Sequence, residues 1–253
     1  MKKKINKIIF AISSIVFIIC ALLLLKIYLP EKSNTAEYKN DISSKTQTGT
    51  QMETVLPDNP INFTKLQSTN KDVYAWIKIP DTNIDYAVVQ SSADKDDLFY
   101  LDHNIDGKYE FAGMIFSQKK NSLDFTDPVT VLYGHNMKNG SMFHDLHKFQ
   151  DKDFFDKHDT IYIYAPGHIY TYKVVSAYIY DDRHILNSFD FSQKKELKAY
   201  FKSIQNPHSV VCNVRDDVSL SVKDKILTLS TCTSIDSQRY LVQGVLTDDK
   251  LTK

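Results

Sequence analysis

Three cysteines and eight histidines are the side chains of this 253-residue chain best suited to nucleophilic or metal chemistry. Cys20 lies inside an apolar run. Cys212 follows Val210 and Val211, the usual setting of a small buried hydrophobe. Cys232 differs, because it ends the run Ile226-Leu227-Thr228-Leu229-Ser230-Thr231-Cys232, and a turn from Thr233 to Gln238 then leads into Arg239-Tyr240-Leu241-Val242. Folded as antiparallel strands, the two runs bring Cys232 opposite or nearly opposite Arg239. A guanidinium beside a thiol stabilises the thiolate, and its forked donors can hold an oxyanion forming on an attacked carbonyl. His135 ends the most apolar strand, Val129-Thr130-Val131-Leu132-Tyr133, at Gly134-His135-Asn136, where a rigid sheet can aim a side chain into a cleft. Brought alongside Cys232, it would serve as acid and base. On residue types alone, a buried thiol and a surface guanidinium remain the competing reading. His144 and His147, three apart, lack the further ligands of a tetrahedral metal set and read as a solvated face. His103, His158, His168, His184 and His208 sit among turn and charged residues and read as surface. No metal or other cofactor is expected, since the acidic runs Asp94–Asp97 and Asp181-Asp182 lack a calcium-loop pattern.

The elements that must hold these groups are mostly strands. Runs of β-branched and aromatic residues recur at Ala75–Ile79, Ile84–Val89, Gly113–Phe116, Val129–Tyr133, Thr160–Tyr164, Ile169–Tyr180, Ile226–Thr231 and Tyr240–Leu246, with turn residues between several of them. Phe63, Leu66 and Val73–Trp76 suggest one or two short N-terminal helices. Leu197, Tyr200, Phe201 and Ile204 recur at helical spacing, with Ser192 available as an N-cap. A second helix is expected from about Ser141 to His147. Many closely spaced strands with few helices point to a β-barrel or sandwich with helical insertions.

The N-terminal end reads differently. Met1–Lys7 is basic, and Ile8–Leu25 follows as 18 residues without a charge, about 27 Å of helix and close to the hydrocarbon thickness of a bilayer. Lys26-Ile27-Tyr28-Leu29-Pro30 follows where a signal-peptide cleavage site would need small residues, so residues 1–30 read as an uncleaved single-pass anchor. Four lysines precede the span and one follows it, placing the N-terminus in the cytoplasm and the body outside the cell membrane. Residues 31–60 are polar and read as an extracellular tether, leaving residues 61–253 as the folded domain. The formal charge of zero hides an asymmetry, because beyond Pro30 there are 26 basic against 31 acidic groups. That acidic body argues against nucleic acid as a partner. Three cysteines exclude a disulfide framework.

Thr228-Leu229-Ser230-Thr231-Cys232 followed by Arg239 resembles the signature of the sortases, the membrane-anchored cysteine transpeptidases of Gram-positive bacteria. Tyr133-Gly134-His135-Asn136-Met137, continuing through Gly140-Ser141-Met142-Phe143, is similar to the histidine segment of their class B. The resemblance covers about residues 61–247. It implies an eight-stranded β-barrel of mixed strand direction with N-terminal helices and a helix inserted before the Cys-bearing strand, where the Ser192–Ile204 segment lies. It also implies that Cys232 is the nucleophile, His135 the acid/base and Arg239 the oxyanion or substrate stabiliser, while Ser230 and Thr231 line the substrate groove. The substrate would be a secreted protein bearing an N-P-x-T-x or x-P-x-T-G-like sorting motif, cleaved after Thr through a thioester and passed to a peptidoglycan amine. The Asp-Pro-aromatic lid of pilin-polymerising members has no counterpart at Asp58-Asn59-Pro60. A pilin-polymerising enzyme, an extracellular cysteine peptidase releasing its product to water, and a non-catalytic surface-binding domain are the alternatives.

Overall fold

The structure, a computed structural model, describes residues 13–22, 38–39 and 56–253. Nine strands make one sheet: β1 (Val73–Lys78), β2 (Asp85–Gln90), β3 (Ile115–Ser117), β4 (Val129–Tyr133), β5 (Thr160–Ala165), β6 (His168–Asp181), β7 (Cys212–Val214), β8 (Ile226–Cys232) and β9 (Gln238–Leu251). Their order is β5-β1-β2-β3-β4-β8-β9-β6-β7, and β5 also pairs with β6. That pairing closes eight strands into a barrel and leaves β7 on the outer part of β6. The β2–β3 and β4–β8 pairs are parallel and the rest antiparallel, as the resemblance implies. Closure removes the exposed edges that an open sheet would carry.

All eight expected strands are present. β7 was not foreseen, because three residues carry too little alternation to register. It leaves Cys212 exposed rather than buried. Val73–Trp76, read as helical, belong to β1, as suits a β-branched and aromatic run. The N-terminal domain helix is α1 (Phe63–Thr69), capped by the Asn62 side chain accepting from Lys65 N–H at 2.9 Å. Phe63 and Leu66 bury against Trp76, Ala87 and Val89. The segment expected to be helical from Ser141 forms a 3-10 helix over His144–Gln150. Short helices α2 (Lys152–Lys157) and α3 (Ile185–Ser188) follow in chain order.

The helix before the Cys-bearing strand is α4 (Lys194–Gln205). Its cap residue is Gln193, not Ser192, whose hydroxyl donates instead to Asp190 Oδ1 at 2.6 Å. Leu197, Tyr200, Phe201 and Ile204 are all buried against the outer face of β4, β8 and β9, each such side chain contributing about 1.5–3 kcal/mol. Successive strand residues alternate faces, so Val129, Val131 and Ile226 look out to α4 while Leu132, Leu227 and Leu229 fill the barrel. Beneath α4, Gln243 is buried with its amide satisfied by Tyr178, Tyr200 and Thr228.

No helix among the described residues is long and apolar enough to cross a membrane. Residues 13–22 are helical; the rest of the span expected over residues 1–30, and most of the tether, lie outside the described residues.

Candidate active site

The outer face of β8 is covered by α4 along Ile226 and Thr228; beyond that cover the buried Ser230 and the exposed Cys232 border a cleft. The cleft has a volume of about 290 Å³ and is lined among others by Leu98, Leu101, His135, Ser230, Cys232 and Arg239. The three residues singled out for acyl-transfer chemistry therefore share one cavity. Cys232 and Arg239 are direct cross-strand partners at the open end of β8 and β9. Arg239 is held by its own turn, Nη1 donating to the carbonyls of Asp236 (2.8 Å) and Gln238 (2.9 Å). Both bonds use one nitrogen, so the rest of the fork remains for a ligand.

His135 follows β4 by two residues. Its Nε2 lies 2.9 Å from the Leu101 carbonyl, which can only accept, so Nε2 carries the proton and Nδ1 is the basic nitrogen of the neutral ring. The ring stacks on Phe111 at 5.2 Å. This support from Leu101 and Phe111 was not legible in the sequence, which offered no orienting residue for His135. Ser230, opposite Tyr133, and Thr231 line the same cleft. The buried Thr231 hydroxyl also donates to the Gly134 carbonyl at 2.8 Å, tying β8 to the histidine loop.

Several cleft residues escaped sequence reasoning. Leu98 and Leu101, exposed apolar side chains on a 3-10 turn, form one wall. Tyr133 and Tyr180 also line the cleft, and their buried hydroxyls have no hydrogen-bond partner among the described residues. Burial raises the Tyr133 phenol well above its usual range, so it stays a neutral donor. Their signal was chemical rather than periodic: each is an outward-facing tyrosine at a strand end. His184, expected at the surface, lines the cleft and caps α3, its ring nitrogen accepting from Asn187 N–H at 3.1 Å.

His144 and His147 do not form a solvated face. The chain folds back at Gly140 (φ 82°) and Met142 (φ 57°), pairing Asn136 with Met142. That reversal brings His147 Nε2 to 3.0 Å from the Cys232 carbonyl and His144 Nδ1 to 2.8 Å from Asn136 Oδ1. Burial holds the His147 imidazole below its usual value, opposed by the bond to the Cys232 carbonyl, and nearby His144 lowers it further.

Residues 77–247 match the sortase domain family model. The chain is 37% identical over 187 residues to sortase B of Listeria monocytogenes, covering 72% of each protein. It is 29% identical over 220 residues to sortase B of Staphylococcus aureus, covering 86% of this chain and 85% of that one. Among solved structures, sortase B of Clostridium perfringens superimposes with a TM-score of 0.66 at 33% identity, spanning 74% of this chain and all of the other. A barrel of this topology with a cysteine, a histidine and an arginine on one cleft, together with these relatives, places the chain in the sortase family, class B.

Proposed function

We propose that Cys232, His135 and Arg239 carry out two-step acyl transfer on the C-terminal sorting motif of secreted proteins. Proton transfer from Cys232 to His135 Nδ1 gives a thiolate and an imidazolium. The thiolate attacks the carbonyl carbon of the motif's Thr, and the oxyanion is held by the free donors of Arg239. Collapse breaks the C–N bond, the imidazolium delivers its proton to the departing amine, and a thioester remains on Cys232. A peptidoglycan amine then attacks the thioester, His135 takes the proton it sheds, and the C–S bond breaks to restore Cys232. The observation that carries this reading is the direct Cys232–Arg239 pairing on the cleft that His135 also lines. Leu98 and Leu101, with the rings of Tyr133 and Tyr180, suit an extended peptide presenting apolar side chains. Ser230 and Thr231 line the groove floor in this reading.

The test is intact mass of the folded domain after mixing with peptides of the N-P-x-T-x and x-P-x-T-G patterns. A mass gain equal to the peptide up to its Thr, absent in Cys232→Ala, is expected, and added amine should convert it to amide product. Cleavage that survives in Cys232→Ala would sink the mechanism.

We also read residues 1–30 as a membrane anchor and residues 31–60 as its tether, with residues 61–253 outside the cytoplasm. The uncharged run Ile8–Leu25 and the exposure of Ile15, Phe17, Ile18 and Leu22 support this. The full chain should sediment with membranes while residues 61–253 alone stay in the supernatant. A full chain that partitions like the truncated one would remove the anchor.

A further inference from the structure

β4 and β8 run parallel with Tyr133 opposite Ser230, and the last backbone bond of that seam is Gly134 N–H to the Ser230 carbonyl at 3.2 Å. In a parallel ladder the next carbonyl in phase lies two residues on, at Cys232, and its donor would be the N–H of residue 136. By then the main chain has turned away, with Phe143 N–H donating to the His135 carbonyl at 2.9 Å. The side chain of Asn136 occupies the vacant place instead, its Nδ2 donating to the Cys232 carbonyl at 3.1 Å.

His147 Nε2 reaches the same carbonyl at 3.0 Å. The proton positions follow from the neighbours. Gln150 Nε2 donates to His147 Nδ1 at 2.8 Å, so Nδ1 is bare and Nε2 carries the hydrogen. The 3.1 Å approach of Asn136 Nδ2 to His147 Nε2 is then two donors converging on one acceptor. His144 Nδ1 donates to Asn136 Oδ1 at 2.8 Å, which sets the amide with its nitrogen toward Cys232. The His147 ring lies against Tyr240 at 4.9 Å, and Tyr240 pairs with Thr231 across β9. Cys232 is itself exposed, so water alone could satisfy its carbonyl. Two side-chain donors on one accessible carbonyl exceed what satisfaction requires; what they add is placement.

We infer that Asn136 and His147 are positioning residues that clamp the Cys232 carbonyl and thereby fix the thiol relative to His135, the residue next to Asn136 in the chain. The inference rests on the reading of Cys232 as the nucleophile. Neither clamp residue touches the reacting atoms. Their effect is on the geometry of attack, where a displacement near 1 Å is enough to cost about 100-fold in rate.

The experiment compares wild type with Asn136→Ala, Asn136→Asp, His147→Phe and the double variant Asn136→Ala/His147→Phe. The probe is a peptide carrying Asn-Pro-Ala-Thr-Asn, or whichever motif peptide acylates wild type. His147→Phe keeps a ring on Tyr240 and removes only the donor. Acyl-enzyme formation should slow by about 10- to 100-fold in each single variant, with KM within about threefold and the thermal midpoint within a few degrees. The double variant should fall far short of the product of the singles, as expected for two groups holding one atom. Alkylation of Cys232 by iodoacetamide, which needs a thiolate but no oriented partner, should stay within about threefold. Rates within twofold of wild type in folded single and double variants would overturn the clamp. So would a rate loss matched by an equal loss of thermal stability and alkylation, which marks a merely structural role. Cys232→Ala in the same series tests the reading beneath: an adduct that survives it overturns both, whereas an adduct lost there and unaffected by the clamp variants overturns the clamp alone.

Discussion

The two flanks of Cys232 are built differently. Toward β4 the contacts are multiple: a parallel seam, the buried bond of the Thr231 hydroxyl to the Gly134 carbonyl, and, at the exposed end, the Asn136 and His147 donors on the Cys232 carbonyl. Toward β9 there is one cross-strand neighbour, Arg239, whose guanidinium is tied, among the described residues, to the carbonyls of its own turn. In the proposed mechanism, the flank carrying His135 is the one that places the thiol and its proton acceptor. The flank carrying Arg239 presents a charge held by fewer contacts, which in the proposed mechanism faces the oxyanion. Proton transfer is sensitive to distance and angle, whereas charge stabilisation tolerates adjustment, so rigidity is concentrated where it matters more.

The largest effect that would break this comparison comes from the Arg239 flank. Arg239→Lys keeps the positive charge but replaces the planar fork with a point charge, losing the bond pattern to Asp236 and Gln238 and the remaining donors together. Turnover should fall about 10²–10³-fold, the range for loss of an oxyanion donor, with the thermal midpoint unchanged because the side chain sits at the barrel's open rim. Steady-state kinetics on a motif peptide, alongside a melting curve, measures both. Near-wild-type turnover in Arg239→Lys would show that charge alone suffices and that the fork has no role.

Most of the barrel was legible in the sequence because each strand is a run of β-branched and aromatic residues with its own turn signals. So was the Cys232–Arg239 partnership, since a short turn between two strong strands leaves little freedom in register. The histidine loop was not legible in the same way. His144 and His147 face Cys232 only because the chain reverses at Gly140 and, against the usual preference of a side-chain-bearing residue, at Met142 in the left-handed region. Periodicity carries no mark of a reversal that depends on one residue adopting such a backbone. His135's own support comes from Leu101 and Phe111, 34 and 24 positions earlier, at the end of a 3-10 turn and in the loop that follows it. β7 and the exposure of Cys212 depend on β6 offering an edge beyond the reach of β5, a property of the assembled sheet rather than of the three residues.

A smaller effect tests the rigid flank itself. Gly134 sits where a Cβ would lie inside contact distance of Ile115 Cδ1 and 2.8 Å from Phe143 Cδ2. The limit is space, not backbone strain. Gly134→Ala should destabilise by about 1–3 kcal/mol as those side chains give way, which is a drop of several degrees in thermal midpoint for a domain of this size. Because the Gly134 carbonyl accepts from Thr231, the same shift should loosen the seam and slow acylation, while Arg239 is untouched. A fully active Gly134→Ala protein with a lowered midpoint would separate the packing of this seam from catalysis.

The smallest effect distinguishes the flanks by acid. His147 titrates below its usual value in the folded chain, against about 6.5 when unfolded. Between those two values the unfolded chain binds the extra proton and the folded one does not, so stability rises with pH across that interval. The contribution is complete above about pH 6.5 and is lost as pH falls through the folded value. Protonation would put a hydrogen on Nδ1, which accepts from Gln150, and would place a cation beside His144. Carboxyls held low by a partner, such as Asp181 bonded by Arg183, titrate below the usual carboxylate range. Lowering the pH from 7.5 to 5.5 should therefore depress the thermal midpoint of wild type more than that of His147→Phe, by a margin of a degree or two. Parallel midpoint curves for the two proteins would mean that the acid sensitivity of the fold lies outside the Cys232 clamp.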